Sequence, residues 1–290
     1  MWLASWKHVV LVLWMIHHRI CYGNGESRDL YYRIKSPCSL LELNNERGRV
    51  IIKAWEKQHI KICVHKYGAY SARQLAKLSV HMRKTGDTLL VESIWRASRR
   101  NSDTAHVEYF IRIPTHLDTR VTMQSGSIKL CGARGTHTLR TSNGTVIGKH
   151  LGDVDAITSN GEIVLEDVRN VTAQTSHAWL VVNGARNTHV STPQVGIVLK
   201  AIRGYWQAET NCGPISVEHS AGSGTAQTLC GDIVVKDCVG INTVSTCRGN
   251  IEIVNSQHTT GNTLNGEVVK SGELERLPSL EASRSFILTN

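Results

Sequence analysis

The chain has 290 residues, with 33 Lys and Arg against 24 Asp and Glu (a formal charge of +9), 24 Gly, two Phe and 6% aromatic residues. That length allows a substantial core, and the lean aromatic and rich glycine content points away from a conventional enzyme domain toward repeated strands and turns. The basic excess lies in residues 1–122, which hold 20 Lys and Arg against 10 Asp and Glu, whereas residues 123–290 hold 13 against 14. No basic cluster alternates with aromatic residues and no nucleic-acid-binding motif occurs, so nucleic acid is set aside as a partner. The positive charge, including Arg83, Lys84, Arg96, Arg99 and Arg100, reads as solvated loops, or as a surface resting on lipid headgroups or anionic glycan.

The N-terminus, MWLASWKHVVLVLWMIHHRICYGNGES, places Lys7 before an apolar run from Val9 to Ile16. Eight apolar residues are too few to span a bilayer, and they fit the apolar core of a secretory signal with cleavage near Gly23. His17, His18 and Arg19 depart from such a signal, and Arg19-Ile20 before Cys21 lacks the small residues of a lipoprotein site. Residues 1–23 are therefore expected to be an export segment, and the protein to reside in the cell envelope, periplasm or cell surface.

Residues 24–120 are rich in strands but follow no fixed period. Leu40 to Lys66 reads as two or three strands with a turn at Asn44 to Gly48, and Asp87–Ser93 and Val107–Pro114 add two more. The expectation is an N-terminal β layer capping one end of the structure. The tail 271–290, with Phe286, Ile287 and Leu288, would close the other.

Residues 121–270 repeat. Aligned on the glycine of Thr-Ser-Asn-Gly, the anchors are Gly126, Gly144, Gly161, Ala178, Val195, Gly213, Gly231, Gly249 and Gly266, separated by 18, 17, 17, 17, 18, 18, 18 and 17 residues. Two and four residues beyond each anchor stands an aliphatic pair, from Ile128 and Leu130 to Ile251 and Ile253, as on the inward face of a strand. Five residues before the anchors runs a second inward column of small or aliphatic residues, from Val121 to Gly261. Three before them stand Thr141, Thr158, Thr175, Thr192, Thr210, Thr228, Thr246 and Thr263, a ladder suited to extended backbone and to hydroxyl bonding at a corner. The turn glycines Gly126, Gly144, Gly161, Gly213, Gly231, Gly249 and Gly266 are expected to supply positive φ. The fold predicted is all-β, a β-solenoid of about nine turns of 17–18 residues with two short strands per turn and an N-terminal β-strand layer.

Chemistry-bearing residues are sparse. His137, His150, His177, His189, His219 and His258 fall in different columns and read as exposed turn residues, so no metal site and no cofactor is expected. Cys212 and Cys230 occupy the same position in successive turns, about 5 Å apart by strand spacing. A disulfide, a ladder of two reduced thiols, and a metal site with Cys247 all remain open there. The acids Asp153, Asp155, Glu162, Glu166, Asp167, Asp232 and Asp237 form no column of two or three, which argues against a glycan-cleaving enzyme and its paired carboxylates. Asn143-Gly-Thr145 and Asn170-Val-Thr172 are sequons expected from composition alone. The unusual surface feature is an outward column of Ile147, Val164, Val181 and Val198 with Trp179 beside it. Either the N-terminal layer or the tail covers it, or it is a partner or self-association face.

From about Leu40 to Gly272 the chain resembles the bacterial adhesin family of the DUF4097 class. The resemblance rests on NNERGRVIIKAW (Asn44–Trp55), on YFIRIPTHLDTRVTMQSGSIKL (Tyr109–Leu130) and on the serial T-S-N-G-x-I/V units. It implies an exported or envelope-associated β-solenoid without enzymatic activity, acting as an adhesin or scaffold through its sheet surfaces. It assigns no functional residues. Self-association or an anionic envelope or glycan surface are the contacts to test. The alternative is a self-polymerising structural protein resembling bactofilins, which would leave the coil ends open and apolar.

Overall fold

A computed structural model describes residues 22–23, 25–68, 75, 78–95 and 105–272. Residues 1–21 of the export segment, Arg96, Arg99, Arg100 and residues 273–290 of the tail, with Phe286 to Leu288, lie outside the described residues. The strands are β1 (Tyr22–Gly23), β2 (Gly25–Ile34), β3 (Leu40–Trp55), β4 (Ile60–Gly68), β5 (Leu78–Thr85), β6 (Thr88–Trp95), β7 (His106–Pro114), β8 (Asp118–Cys131), β9 (Thr136–Asn143), β10 (Val146–Asn160), β11 (Ile163–Thr175) and β12 (Leu180–Thr192), then shorter strands from β13 (Ile197–Ile202) to β21 (Val268–Ser271). All belong to one sheet wound into a β-solenoid.

From β8 onward each turn pairs in parallel with the next at the predicted step: Val146 opposes Ile163, Ile163 opposes Leu180, and Ile215 opposes Ile233. Nine anchors bound eight full turns rather than nine, because each anchor is a corner. At about 4.8 Å per turn the coil is roughly 40 Å long. The aliphatic columns are its core: Ile128, Val146, Ile163, Leu180, Ile197, Ile233 and Ile251 are wholly buried, and so are Leu139, Ala156, Val190, Ala208, Ala226 and Val244. Trp206 is also fully buried. It fits because Gly224 lies in register with it one turn on, where a Cβ would stand 2.3 Å from the indole.

The N-terminal strands are continuous with this coil. Gly48 opposes Gly126 and Val50 opposes Ile128, so β3 is a further rung lying under β8. No turn interrupts it at Asn44–Gly48: the chain rounds a corner there within one long strand, with Gly48 at φ 126°. β6 and β7 together form the rung before it, opposing Leu40–Asn44 and Gly48–Trp55. Beyond that rung the pairing turns antiparallel, β7 to β4 and β4 to β2 on one side and β6 to β5 on the other. The last described rung is different. Val268 is 39% exposed, and the next inward position is Lys270, whose Nζ donates to the Thr259 carbonyl.

The corners differ from expectation in a physically informative way. Among the anchor glycines only Gly126, Gly144 and Gly249 have positive φ. What all seven share is close stacking: a Cβ would lie 1.7–2.3 Å from the carbonyl oxygen of the corner below. The left-handed conformation belongs instead to a second corner, six residues past each anchor, where Gly132, His150, Asp167, Gly184, Ala201, His219, Asp237, Asn255 and Gly272 all have φ between 46° and 80°. Gly, Asn, Asp and His are the residues that tolerate this region best. Turns of 17 and 18 residues differ at a third corner. Ile202 opposes Ala185 but Trp206 opposes Thr188, so one residue is added between them, at Arg203-Gly204-Tyr205.

Candidate functional site

The Thr ladder sits at the strand end before the anchor. Thr141, Thr158, Thr175, Thr210, Thr228, Thr246 and Thr263 each donate their hydroxyl to the anchor carbonyl one turn below, at 3.0–3.2 Å. Thr192 is equally buried, but its hydroxyl has no protein partner. The ladder binds rungs together and offers nothing to a ligand.

His137 is a correction to the sequence reading. It is fully buried, not an exposed turn residue. It stands two residues before the inward Leu139 on β9 and in register with Val154, so strand alternation turns it into the core. Its Nε2 faces the Ala133 carbonyl at 3.1 Å and must therefore donate, which leaves Nδ1 to accept from the Thr119 hydroxyl at 3.0 Å. Burial pushes its pKa below the ordinary 6.5. His150 and His219 are a second correction: they share the left-handed corner column, four turns apart, and each faces an aspartate of the next turn, Asp167 at 2.9 Å and Asp237 at 3.4 Å.

Cys212 and Cys230 are free, exposed and directly opposite each other in register, and Cys247 is half-buried. No group of three His, Cys, Asp or Glu side chains converges among the described residues. Five of the seven acids, Asp153, Asp155, Glu166, Asp167 and Asp237, are paired with basic side chains. Asp153 accepts two bonds from Arg169, at 2.5 and 2.8 Å, and one from Asn170, which hold its carboxyl below the usual range. Lys149 does the same for Glu166.

The outward column of Ile147, Val164, Val181 and Val198 is half-exposed along four consecutive turns, each residue opposing the next. No described element packs over it. Trp179, 43% exposed, stands against Gly196 of the following turn, where a Cβ would meet its ring at 2.2 Å. The column is flanked by charges that neutralise one another, Lys149 with Glu166 and Lys200 with Glu218. Followed toward the N-terminus, the same face runs through Lys129, Ile51, Phe110 and Cys63 on β8, β3, β7 and β4. There it opens into a cleft of about 550 Å³ lined by Lys53, Trp55, Lys61, Phe110, Arg112 and Lys129.

A second groove, at the third corner, is lined by Arg134, Arg169, Arg186 and Arg203, with His150 and Asp167. These arginines share one column, with Gly152 in place of the second. Both clusters escaped the sequence reading. The column was visible at eight residues past the anchor, whereas the cleft joins residues far apart in sequence whose alignment requires the N-terminal pairing.

No family profile matches the chain, and no curated protein does. Solved structures of similar fold do. A "putative adhesin" from Bacteroides fragilis is 13% identical over 84% of this chain and 96% of its own, with a TM-score of 0.32. A "putative cell adhesion protein" from Clostridium sporogenes is 10% identical over 85% and 100%, with a TM-score of 0.28. A "putative lipid binding protein" from Parabacteroides distasonis is 11% identical over 87% and 96%, with a TM-score of 0.32.

Proposed function

We propose that this chain is a non-enzymatic, exported adhesin or scaffold of the DUF4097 type, acting by contact through the sheet face that carries Ile147, Val164, Trp179, Val181 and Val198. The observation that carries this reading is the uncovered aliphatic column. Outward positions of a solvated sheet are ordinarily polar, and four successive apolar residues on a face over which no described element packs suit a contact surface. The pairing of Asp153 with Arg169 and of Glu166 with Lys149 holds both carboxyls as anions, which removes them as candidates for the general acid of a glycan-cleaving pair. A bactofilin-like polymer is disfavoured by the ends of the coil. One passes into antiparallel strands, and the other presents Lys270 where the aliphatic column would continue.

Light scattering on the purified chain over a concentration series, at low and high salt, tests the choice. A constant monomer near 32 kDa supports a capped binding module. Assemblies that grow with concentration and ignore salt would overturn it in favour of a polymer. Within the contact reading, Val181→Lys should abolish surface or self-association and leave the melting curve unchanged. A variant that unfolds would identify Val181 as a core residue and end the proposal.

A further inference from the structure

At the N-terminal end of that face three cations, Lys61, Arg112 and Lys53, are set directly opposite one another in a row that Arg33 of β2 extends. Arg112 of β7 opposes Lys61 of β4 on one side and Lys53 of β3 on the other, and Lys61 is in turn opposed by Arg33. Each of the three is exposed, and each lies next to a buried isoleucine of its own strand, Ile62, Ile111 and Ile52. Alternation therefore turns all three side chains to the outer face. Directly opposed residues on neighbouring strands have Cβ atoms about 4.5–5.5 Å apart, a spacing at which like charges destabilise the sheet. Among the described residues none of the three has an ion pair, and neither has Lys129, on the adjacent row opposite Ile51.

The rest of the face is arranged otherwise. Arg49 is bonded to Glu108 at 3.0 Å two rows away, and further along the coil Lys149 meets Glu166 and Lys200 meets Glu218 at 2.8 Å. Where the face pairs these cations with carboxylates, the four cations around the open cleft have no carboxylate partner among the described residues. A bound anion would relieve that repulsion.

The form of the cluster restricts the ligand. Lys61, Arg112 and Lys53 lie in a line along the coil axis, one per strand at about 4.8 Å, so they match a chain bearing repeated anionic groups better than a single small anion. The aromatic rings beside them are engaged by the protein's own cations: Lys57 Nζ lies 5.3 Å from the Trp55 ring centre, and the Arg49 guanidinium 5.8 Å from that of Phe110. Each ring thus already has a cation of the protein over it, in the place a stacked base would take in single-stranded nucleic acid binding. The other side chains on the cluster, Ile51 and Phe110, are half-buried in the sheet and offer no wedge to enter a bilayer.

We propose that the row Lys61–Arg112–Lys53, with Lys129 beside it, is a binding site for a linear acidic polysaccharide lying along the coil axis. The proposal deepens the surface-contact reading and rests on it, because it names what the N-terminal end of the same face would hold.

The test is titration of the full chain with polygalacturonate at low and high salt, alongside inorganic polyphosphate, a single-stranded DNA oligonucleotide and phosphatidylglycerol vesicles. Polygalacturonate should bind, and binding should weaken as salt rises. Lys53→Gln with Arg112→Gln should cost at least tenfold in affinity, while Lys53→Arg with Arg112→Lys should retain it. Arg186→Gln with Arg203→Gln removes the same charge from the distant groove and should change affinity less than threefold. Equal loss in that control would show a bulk-charge effect and overturn the site. So would tighter binding to DNA or to polyphosphate than to polygalacturonate, or binding to vesicles with none to the polysaccharide.

The Gln pair should also melt at or above the wild-type temperature in the absence of polymer, because it removes opposed like charges. A variant that unfolds would refute the premise of stored repulsion. Val181→Lys should bind polygalacturonate as wild type does, so loss of association there with the polymer still bound would remove the apolar-face reading and leave the cation site standing.

Discussion

Thr175 and Thr192 allow the ladder's energetics to be isolated. Both stand three residues before their anchor, both are no more than 1% exposed, and they belong to successive turns. Thr175 donates to the Gly161 carbonyl at 3.0 Å, whereas the Thr192 hydroxyl has no protein partner. Valine keeps the β-branched shape and the preference for extended backbone, so the substitution removes little besides the hydroxyl. Thr175→Val loses a hydrogen bond and leaves a carbonyl short of a donor, a cost of about 1–2 kcal/mol. Thr192→Val removes a buried polar group that bonds to nothing in the protein, and should be neutral or stabilising by about 1 kcal/mol. The two variants should therefore differ by about 1–3 kcal/mol, with only Thr175→Val destabilising. Urea denaturation at unchanged slope reads the difference, and amide exchange in the two rungs checks that it is local. Equal destabilisation by both would refute the reasoning, and would mean that the threonine column is held by packing rather than by its hydroxyls.

His137 is buried neutral with its pKa lowered, so the unfolded chain takes up the proton first. Its contribution to stability should be complete above pH 6.5 and be lost as pH falls below it, and His137→Gln should flatten that part of the melting-temperature profile. Gly231→Ala would place a Cβ 2.1 Å from the Gly213 carbonyl and force two corners apart. A loss of about 1–3 kcal/mol is expected by chemical denaturation even though Gly231 has no positive φ. Cys212 and Cys230 are exposed, whereas burial raises the pKa of the fully buried Cys238. Iodoacetamide should label the first two in the native chain and Cys238 only after unfolding, as mass spectrometry would show.

The coil was legible because stacking turns a weak local preference into a column: eight threonines and the paired aliphatics each repeat a choice that a single turn would leave ambiguous. The left-handed corner was not legible, because Gly, His, Asp, Ala and Asn look unrelated until their shared tolerance of positive φ is considered. His137 was legible from the alternation, two residues before the inward Leu139, but a histidine at an inward position reads as a turn residue until its two buried hydrogen-bond partners are seen. The rung at β3 went unread because β4 to β7 separate it from β8 and break the period. The cation row depends on that rung, so it was hidden for the same reason. The aliphatic face was found from sequence, but only the packing shows that no described element covers it.

The position of β3 has a consequence for the order in which the molecule assembles. Turns of the coil proper pair residues 17 or 18 apart, as Val146 with Ile163, whereas Gly48 must find Gly126, 78 positions away. Closing the longer loop costs roughly 1.3 kcal/mol more in chain entropy by its logarithmic dependence on length, and contacts of long sequence separation slow folding. The short-range turns should therefore nucleate and extend first, with β3 and β7 annealing onto β8 in a late step. Lys53 and Arg112 arrive on those two strands, so the cation row comes together only on a chain whose coil has already been wound.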